Sequence, residues 1–204
     1  MNQYYLIAQL PSLEIAGETT ALPITEERFY ELCRSNLGKK TWNALSGLTL
    51  VPKRENKKSG YPFIDRWNEW EINFRLALAG ARAEKMKKPF EGKRGEVSAA
   101  LLQTVRQAVE MEDPLEAERY LTRIRLDYLE TLRPADSFSE TMLFYYALKL
   151  KLILRLQRFD KSRGQSAYRE IYSAIMHGGD QEVKERSEER RVGKECRSRW
   201  SPYH

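Results

Sequence analysis

The sequence predicts an all-α protein, an antiparallel bundle of about five to seven helices preceded by a short extended N-terminal segment. Three observations carry that prediction. Apolar residues recur at spacings of three and four, most clearly at Phe63, Trp67, Trp70, Phe74, Ala77 and Ala81, the repeat of one helix face. Residues that start helices stand ahead of the apolar stripes, as at Thr25-Glu26-Glu27 and Asp113-Pro114. The longest apolar region, 139–159, is built from Leu, Lys and Arg, which favour helix over strand.

Each element follows in order. Residues 1–24 hold a short apolar run, Tyr4 to Ala8, punctuated by Pro11, Gly17 and Pro23; they read as a strand or a docked extended arm. At Thr25 a hydroxyl is placed to cap free amides, and the two glutamates suit the positive end of the helix dipole. That helix should turn Phe29, Leu32 and Cys33 inward and stop near Gly38. A second short helix carries Trp42, Leu45 and Leu48. The charged, breaker-rich run from Val51 to Pro62 reads as a loop and hinge.

The stripe from Phe63 defines a helix to about Lys87, roughly 37 Å long at 1.5 Å per residue. After a basic loop, Val97, Leu101, Val105, Ala108 and Met111 mark another. Asp113 as N-cap and Pro114 in the first helical position then open a helix whose stripe is Ala117, Leu121, Ile124, Tyr128 and Leu132, the position where proline is pre-set rather than disruptive. Region 139–159 is ambiguous by period, because Leu148, Leu150, Leu152, Leu154 and Leu156 alternate with Lys149, Lys151 and Arg155. Helix is preferred, since twenty residues without a breaker exceed an ordinary strand. A last helix with Ala167, Tyr168, Ile171, Tyr172 and Ile175 should end at Gly178 and Gly179, where glycine supplies a left-handed cap.

Composition narrows the function. The 204 residues carry 35 Lys and Arg against 29 Asp and Glu, with two Cys and two His. Two cysteines make neither a disulfide framework nor a structural zinc site. No apolar stretch is long enough to span a membrane, and the N-terminus lacks signal-peptide features, so a cytoplasmic protein is expected. From Arg186 onward the string RSEERRVGKECRSRWSPYH has no apolar period. It resembles the in-frame translation of a short-read sequencing adapter, and residues 186–204 are set aside on that account; a natural, basic, disordered tail is the competing reading. Without its six basic and three acidic residues the balance is 29 against 26, a net charge of +3 instead of +6. That weakens the case for a nucleic-acid partner.

A search for chemistry finds no catalytic, cofactor-binding or metal-binding constellation. Gly38-Lys39-Lys40-Thr41 lacks the upstream glycine and the strand of a phosphate loop, and reads as a helix cap and basic turn. His177 has no evident nucleophile beside it. Cys33 lies on an apolar face and reads as a small buried hydrophobe. Glu69 with Glu71, and Glu116 with Glu118, are two residues apart and point to different helix faces, so neither pair converges on one substrate atom. Trp67 and Trp70 could stack bases, but their stripe assigns them to the core. The basic run Lys149, Lys151, Arg155, Arg158, Lys161 and Arg163 is the candidate partner-contact face, set against the simpler reading of a solvated helix face.

Resemblance adds what motifs do not. The opening Tyr4-Tyr5-Leu6-Ile7-Ala8-Gln9-Leu10-Pro11 is similar to the YYYLVAxLP-type start of a little-characterised bacterial family that accompanies vacuolar-type (V/A-type) ATPase subunits, with Leu6 where a third tyrosine is usual. Residues 29–33 (FYELC), 67–83 (WNEWEINFRLALAGARA), 113–132 and 145–159 (YYALKLKLILRLQRF) resemble it too. That family is similar to the central-stalk subunit called C in prokaryotes and d in eukaryotes. The resemblance implies a non-catalytic, socket-like subunit linking rotor ring and central shaft in an ion-transporting complex, cytoplasmic and peripheral to the inner membrane. It implies no small-molecule substrate and no specific nucleic acid. The alternative is a helical adaptor that binds nucleic acid or an acidic protein through Lys149 to Arg163. The expected organisation is an N-terminal arm and short helices in 1–62, the main bundle in 63–185, and the adapter-like tail in 186–204.

Overall fold

In a computed structural model, residues 3–13, 22–52, 58–90, 92, 97–158 and 164–176 are described. They form eight helices and no strand, so the all-α prediction holds. The first seven are α1 (Gln3–Gln9), α2 (Glu26–Asn36), α3 (Lys39–Ser46), α4 (Pro62–Lys85), α5 (Ala99–Glu110), α6 (Pro114–Thr131) and α7 (Glu140–Arg158). The eighth, α8, covers residues 164–176. Two compact units divide the chain, 1–158 with α1 to α7 and 159–204 with α8.

The N-terminal run corrects one expectation, because Tyr4 to Ala8 lies within α1 and is not extended. An extended arm would need a neighbouring strand for its amides and carbonyls, whereas a helix satisfies them internally. With no strand among the described residues, helix is the conformation that lets Leu6 enter the core. Leu6 is fully buried, while Tyr4 and Tyr5 are 68% and 59% exposed.

Local signals set the other helix ends. Thr25 Oγ1 accepts from the Arg28 amide at 3.2 Å, Ser98 Oγ from Leu101 at 3.2 Å and Asp113 Oδ1 from Leu115 at 2.8 Å. Each satisfies one amide that the helix leaves free. Pro62 and Pro114 occupy first-turn positions. The α4 end is fastened by a Lys88 amide bond to the Ala83 carbonyl at 2.9 Å, with Lys87 left-handed at φ 53.

The first unit has two apolar clusters. One joins Leu6, Phe29, Cys33 and Leu45 to Trp67, Leu129 and the apolar length of α7. The expected boundary between residues 62 and 63 therefore falls inside this unit, where residues from both sides share one cluster. The other gathers Phe74, Ala77, Leu78, Ala81, Val105, Ala108 and Leu121. Trp70 packs on both, its ring parallel to that of Tyr128 at 4.1 Å and to Phe74 at 5.0 Å.

The period of 139–159 was ambiguous for a reason that packing makes plain. Every residue from Leu143 to Leu148 is buried, because α7 contacts α3, α4 and α6 and has no solvent face there. Its partner α6 runs antiparallel, since Lys149 pairs with Glu130 and Arg155 with Glu118. The buried side of α6 is centred on Leu121, Thr122, Arg125, Leu126 and Leu129. The expected stripe is rotated from it, with Ala117, Ile124, Tyr128 and Leu132 half-buried. Packing against both α5 and α7 covers more of α6 than a single stripe anticipates.

Within its own unit α8 carries Tyr168, Ile171, Tyr172 and Ile175, each more than half exposed. Its expected end at Gly178 and Gly179, His177 and the 186–204 tail lie outside the described residues.

Candidate partner-contact face

Of the six basic residues singled out by sequence, four stand on α7, while Lys161 and Arg163 lie outside the described residues. At 100° per residue, Lys151, Arg155 and Arg158 fall within an arc of about 60°, and Lys149 is about 200° from Lys151. The run is therefore not one face, since an interval of two residues crosses to the other side of a helix.

Lys149 points towards α6. Its Nζ lies 2.7 Å from Glu130 Oε1 and 3.3 Å from the Tyr145 hydroxyl, which itself donates to Glu130 Oε1 at 2.6 Å. Burial opposes ionisation of Glu130, but the hydrogen bonds from Lys149 and Tyr145 outweigh it and hold the carboxyl below its usual range. For Lys149, burial works against the charge and the bonds to Glu130 and Tyr145 prevail, raising its pKa.

The other three share a groove. Thr49 and Leu50 form one wall and Lys151, Leu154, Arg155 and Arg158 the other, with Glu26 at the α2 start, enclosing about 320 Å³. Two of the cations already have carboxylates: Lys151 Nζ is 3.0 Å from Glu26 Oε1, and the Arg155 guanidinium binds Glu118, with Nε at 3.0 Å from Oε1. Burial disfavours the Lys151 charge, yet hydrogen bonding to Glu26 and Tyr30 raises its pKa overall. Arg158 is exposed at the end of the stripe.

A second charged cluster was not anticipated. Glu71 is fully buried between two arginines, with Arg75 Nε at 2.6 Å and Arg125 Nε at 3.0 Å. Arg75 also donates to the Leu50 carbonyl at 3.2 Å, and Arg125 donates to the Leu121 carbonyl at 3.2 Å and covers the Phe74 ring at 4.7 Å. A buried carboxylate persists when paired and hydrogen-bonded in this way. The only sequence signal was the four-residue spacing of Glu71 and Arg75; the partner 54 residues away leaves none. Glu69 is exposed while Glu71 is buried, so that pair is split between two faces. Glu116 is exposed, whereas Glu118 serves Arg155.

The remaining candidates are held by the fold. Cys33 is fully buried, and burial pushes its thiol up to about 12. Gly38 is the N-cap of α3, and the buried Thr41 hydroxyl donates to Glu140 Oε1 at 3.0 Å. Trp67 is fully buried, and Trp70 half-buried. Among the described residues no group of His, Cys, Asp and Glu is placed to hold a metal ion.

This geometry can be set beside known proteins. Residues 96–179 match a family model described as protein of unknown function (DUF2764). The match takes in α5, α6, α7 and α8, and with them the basic run. No curated protein and no solved structure matches.

Proposed function

We propose that the chain is a non-catalytic structural component of a V/A-type ATPase, a socket-like piece between the rotor ring and the central shaft. The family resemblance of its sequence blocks suggests the assembly, and one structural observation supports the mechanical role. The helix α7 is buried on all sides from Leu143 to Leu148, and salt bridges tie it to three places: Glu130 and Glu118 on α6, and Glu26 on α2. A part that passes torque between neighbours needs a stiff interior and contact area, and close-packed cores transmit strain because they barely compress. Among the described residues no helix is long and apolar enough to cross a membrane, so attachment to the membrane in this reading runs through the complex.

The test is affinity purification of the tagged full chain from a host expressing the complete ATPase. Recovery of ATPase subunits in fixed proportion supports the reading. An intact, rotating complex that contains none of the chain refutes it.

The alternative adaptor reading is favoured by one observation, the exposed Arg158 continuing the stripe of Lys151 and Arg155 along a groove. Duplex DNA or RNA binding that falls steeply with salt would select it.

A further inference from the structure

Helix α8, residues 164–176, carries the longest run of exposed large apolar side chains among the described residues. Tyr168, Ile171, Tyr172, Ile175 and Met176 are all more than half exposed, from 52% to 67%. At 100° per residue they fall within an arc of about 140°. Ala167 and Ala174 run along one edge of that arc, and Ser166, Glu170 and Ser173 stand on the opposite side of the helix. This is the pattern of a helix that buries one face. The five side chains expose about 600 Å² together, as much as the largest apolar patch that a monomer ordinarily shows. The rings of Tyr168 and Tyr172 already stack, with centroids 6.0 Å apart and planes inclined by 20°, so the two aromatics present one continuous surface.

We propose that α8 is a self-association element, pairing antiparallel with the same helix of a second copy of this chain. Spacing selects the occupant. The stripe Tyr168, Ile171, Tyr172, Ile175 has intervals of three, one and three, which read the same backwards while tyrosine and isoleucine exchange places. A two-fold axis between Ile171 and Tyr172 therefore sets Tyr168 against the partner's Ile175 and Ile171 against the partner's Tyr172. Each ring meets a branched aliphatic side chain, and no position meets its own kind. Charge agrees, because a two-fold interface brings a patch against itself and any ion within it would face its own sign. The stripe and its alanine edge hold no acidic or basic residue. Area agrees as well: two such faces bury about 1,200 Å², at the lower bound of a specific interface, which sets a pair that dissociates on dilution and not a permanent dimer. The inference does not depend on the ATPase reading.

The experiment is sedimentation of the full chain, in a Cys196→Ser background, across a wide range of micromolar concentrations. The expected result is a reversible monomer–dimer equilibrium that high salt does not weaken. Ile171→Glu, in the middle of the stripe, should raise the dissociation constant at least tenfold, and Ser173→Glu, on the far side of the helix, less than twofold, each variant keeping the parent helical circular dichroism. Single cysteines then read the register under mild oxidation. Ile171→Cys, beside the axis, should give a disulfide-linked dimer. Tyr168→Cys, about 10 Å along the axis from its counterpart, is beyond disulfide reach and should link only when mixed with Ile175→Cys. A chain that stays monomeric at every concentration would overturn the proposal, as would a dimer unchanged by I171E or dissolved by salt. Linking of Tyr168→Cys alone as readily as Ile171→Cys would overturn the antiparallel pairing.

Discussion

Arg125 Nε lies 3.0 Å from Glu71 Oε2, joining α6 to α4 across 54 residues of sequence, with the carboxylate fully buried and the arginine 5% exposed. The guanidinium lies over Phe74, so one side chain serves as counter-ion and as packing surface. Removing one partner of such a pair strands the other without water. The Glu71→Gln variant should lose about 3–5 kcal/mol of stability, whereas Glu71→Leu with Arg125→Met should recover much of that loss. Urea unfolding of the two variants checks this, and a loss below about 1 kcal/mol in E71Q would show that the cluster is not a stability determinant.

The docking of α1 is tested by contrast between neighbours. Leu6 is fully buried and Tyr5 is 59% exposed, so Leu6→Ala should cost about 2–5 kcal/mol and Tyr5→Ala about 0.5 kcal/mol or less. Similar denaturation midpoints for the two variants would mean that α1 does not anchor the core.

Acid stability should depend on Glu130. Its pKa is lowered in the folded state by Lys149 and Tyr145 against the opposing effect of burial, so its contribution is present above the unfolded value of about 4.5 and is lost as pH falls through the folded value. Glu130→Gln should therefore flatten the drop in urea midpoint between pH 7 and pH 3. On the alkaline side, the raised Lys149 contributes below its unfolded value and ceases to as pH passes the folded one, so Lys149→Met should flatten the loss above about pH 10.5. Profiles parallel to the parent at both ends would contradict this.

Cys33 should be chemically silent in the native state. With its pKa pushed up to about 12 by burial, the thiolate fraction at pH 8 is about one in ten thousand, and the thiolate is the reactive form. In a Cys196→Ser background, an aromatic disulfide reagent should modify Cys33 only at the rate of global unfolding. Modification within seconds in native buffer would place the thiol at the surface.

Much of the fold was legible because its signals are local. Thr25 and Asp113 hydrogen-bond to amides three and two residues ahead, and the stripe from Phe63 to Ala81 needs only the helical repeat. The basic run was less legible. The density of basic residues from Lys149 to Arg163 suggested one cationic face, but the helical repeat sends Lys149 to Glu130 while Lys151 goes to Glu26. The two carboxylates come from different helices, 19 and 125 residues from their lysines, distances at which no spacing rule operates.

By itself the sequence determined the helical class, most helix starts and the apolar stripe of α4, because hydrogen bonding and amphipathicity within a helix depend on residues a few positions apart. Only the tertiary structure decided that Tyr4 to Ala8 is helical, that α7 is enclosed on all sides, and that Glu71 is buried between Arg75 and Arg125. Those outcomes depend on which helices meet. Burial and counter-charge belong to the space between elements, and residues far apart in the chain define that space together.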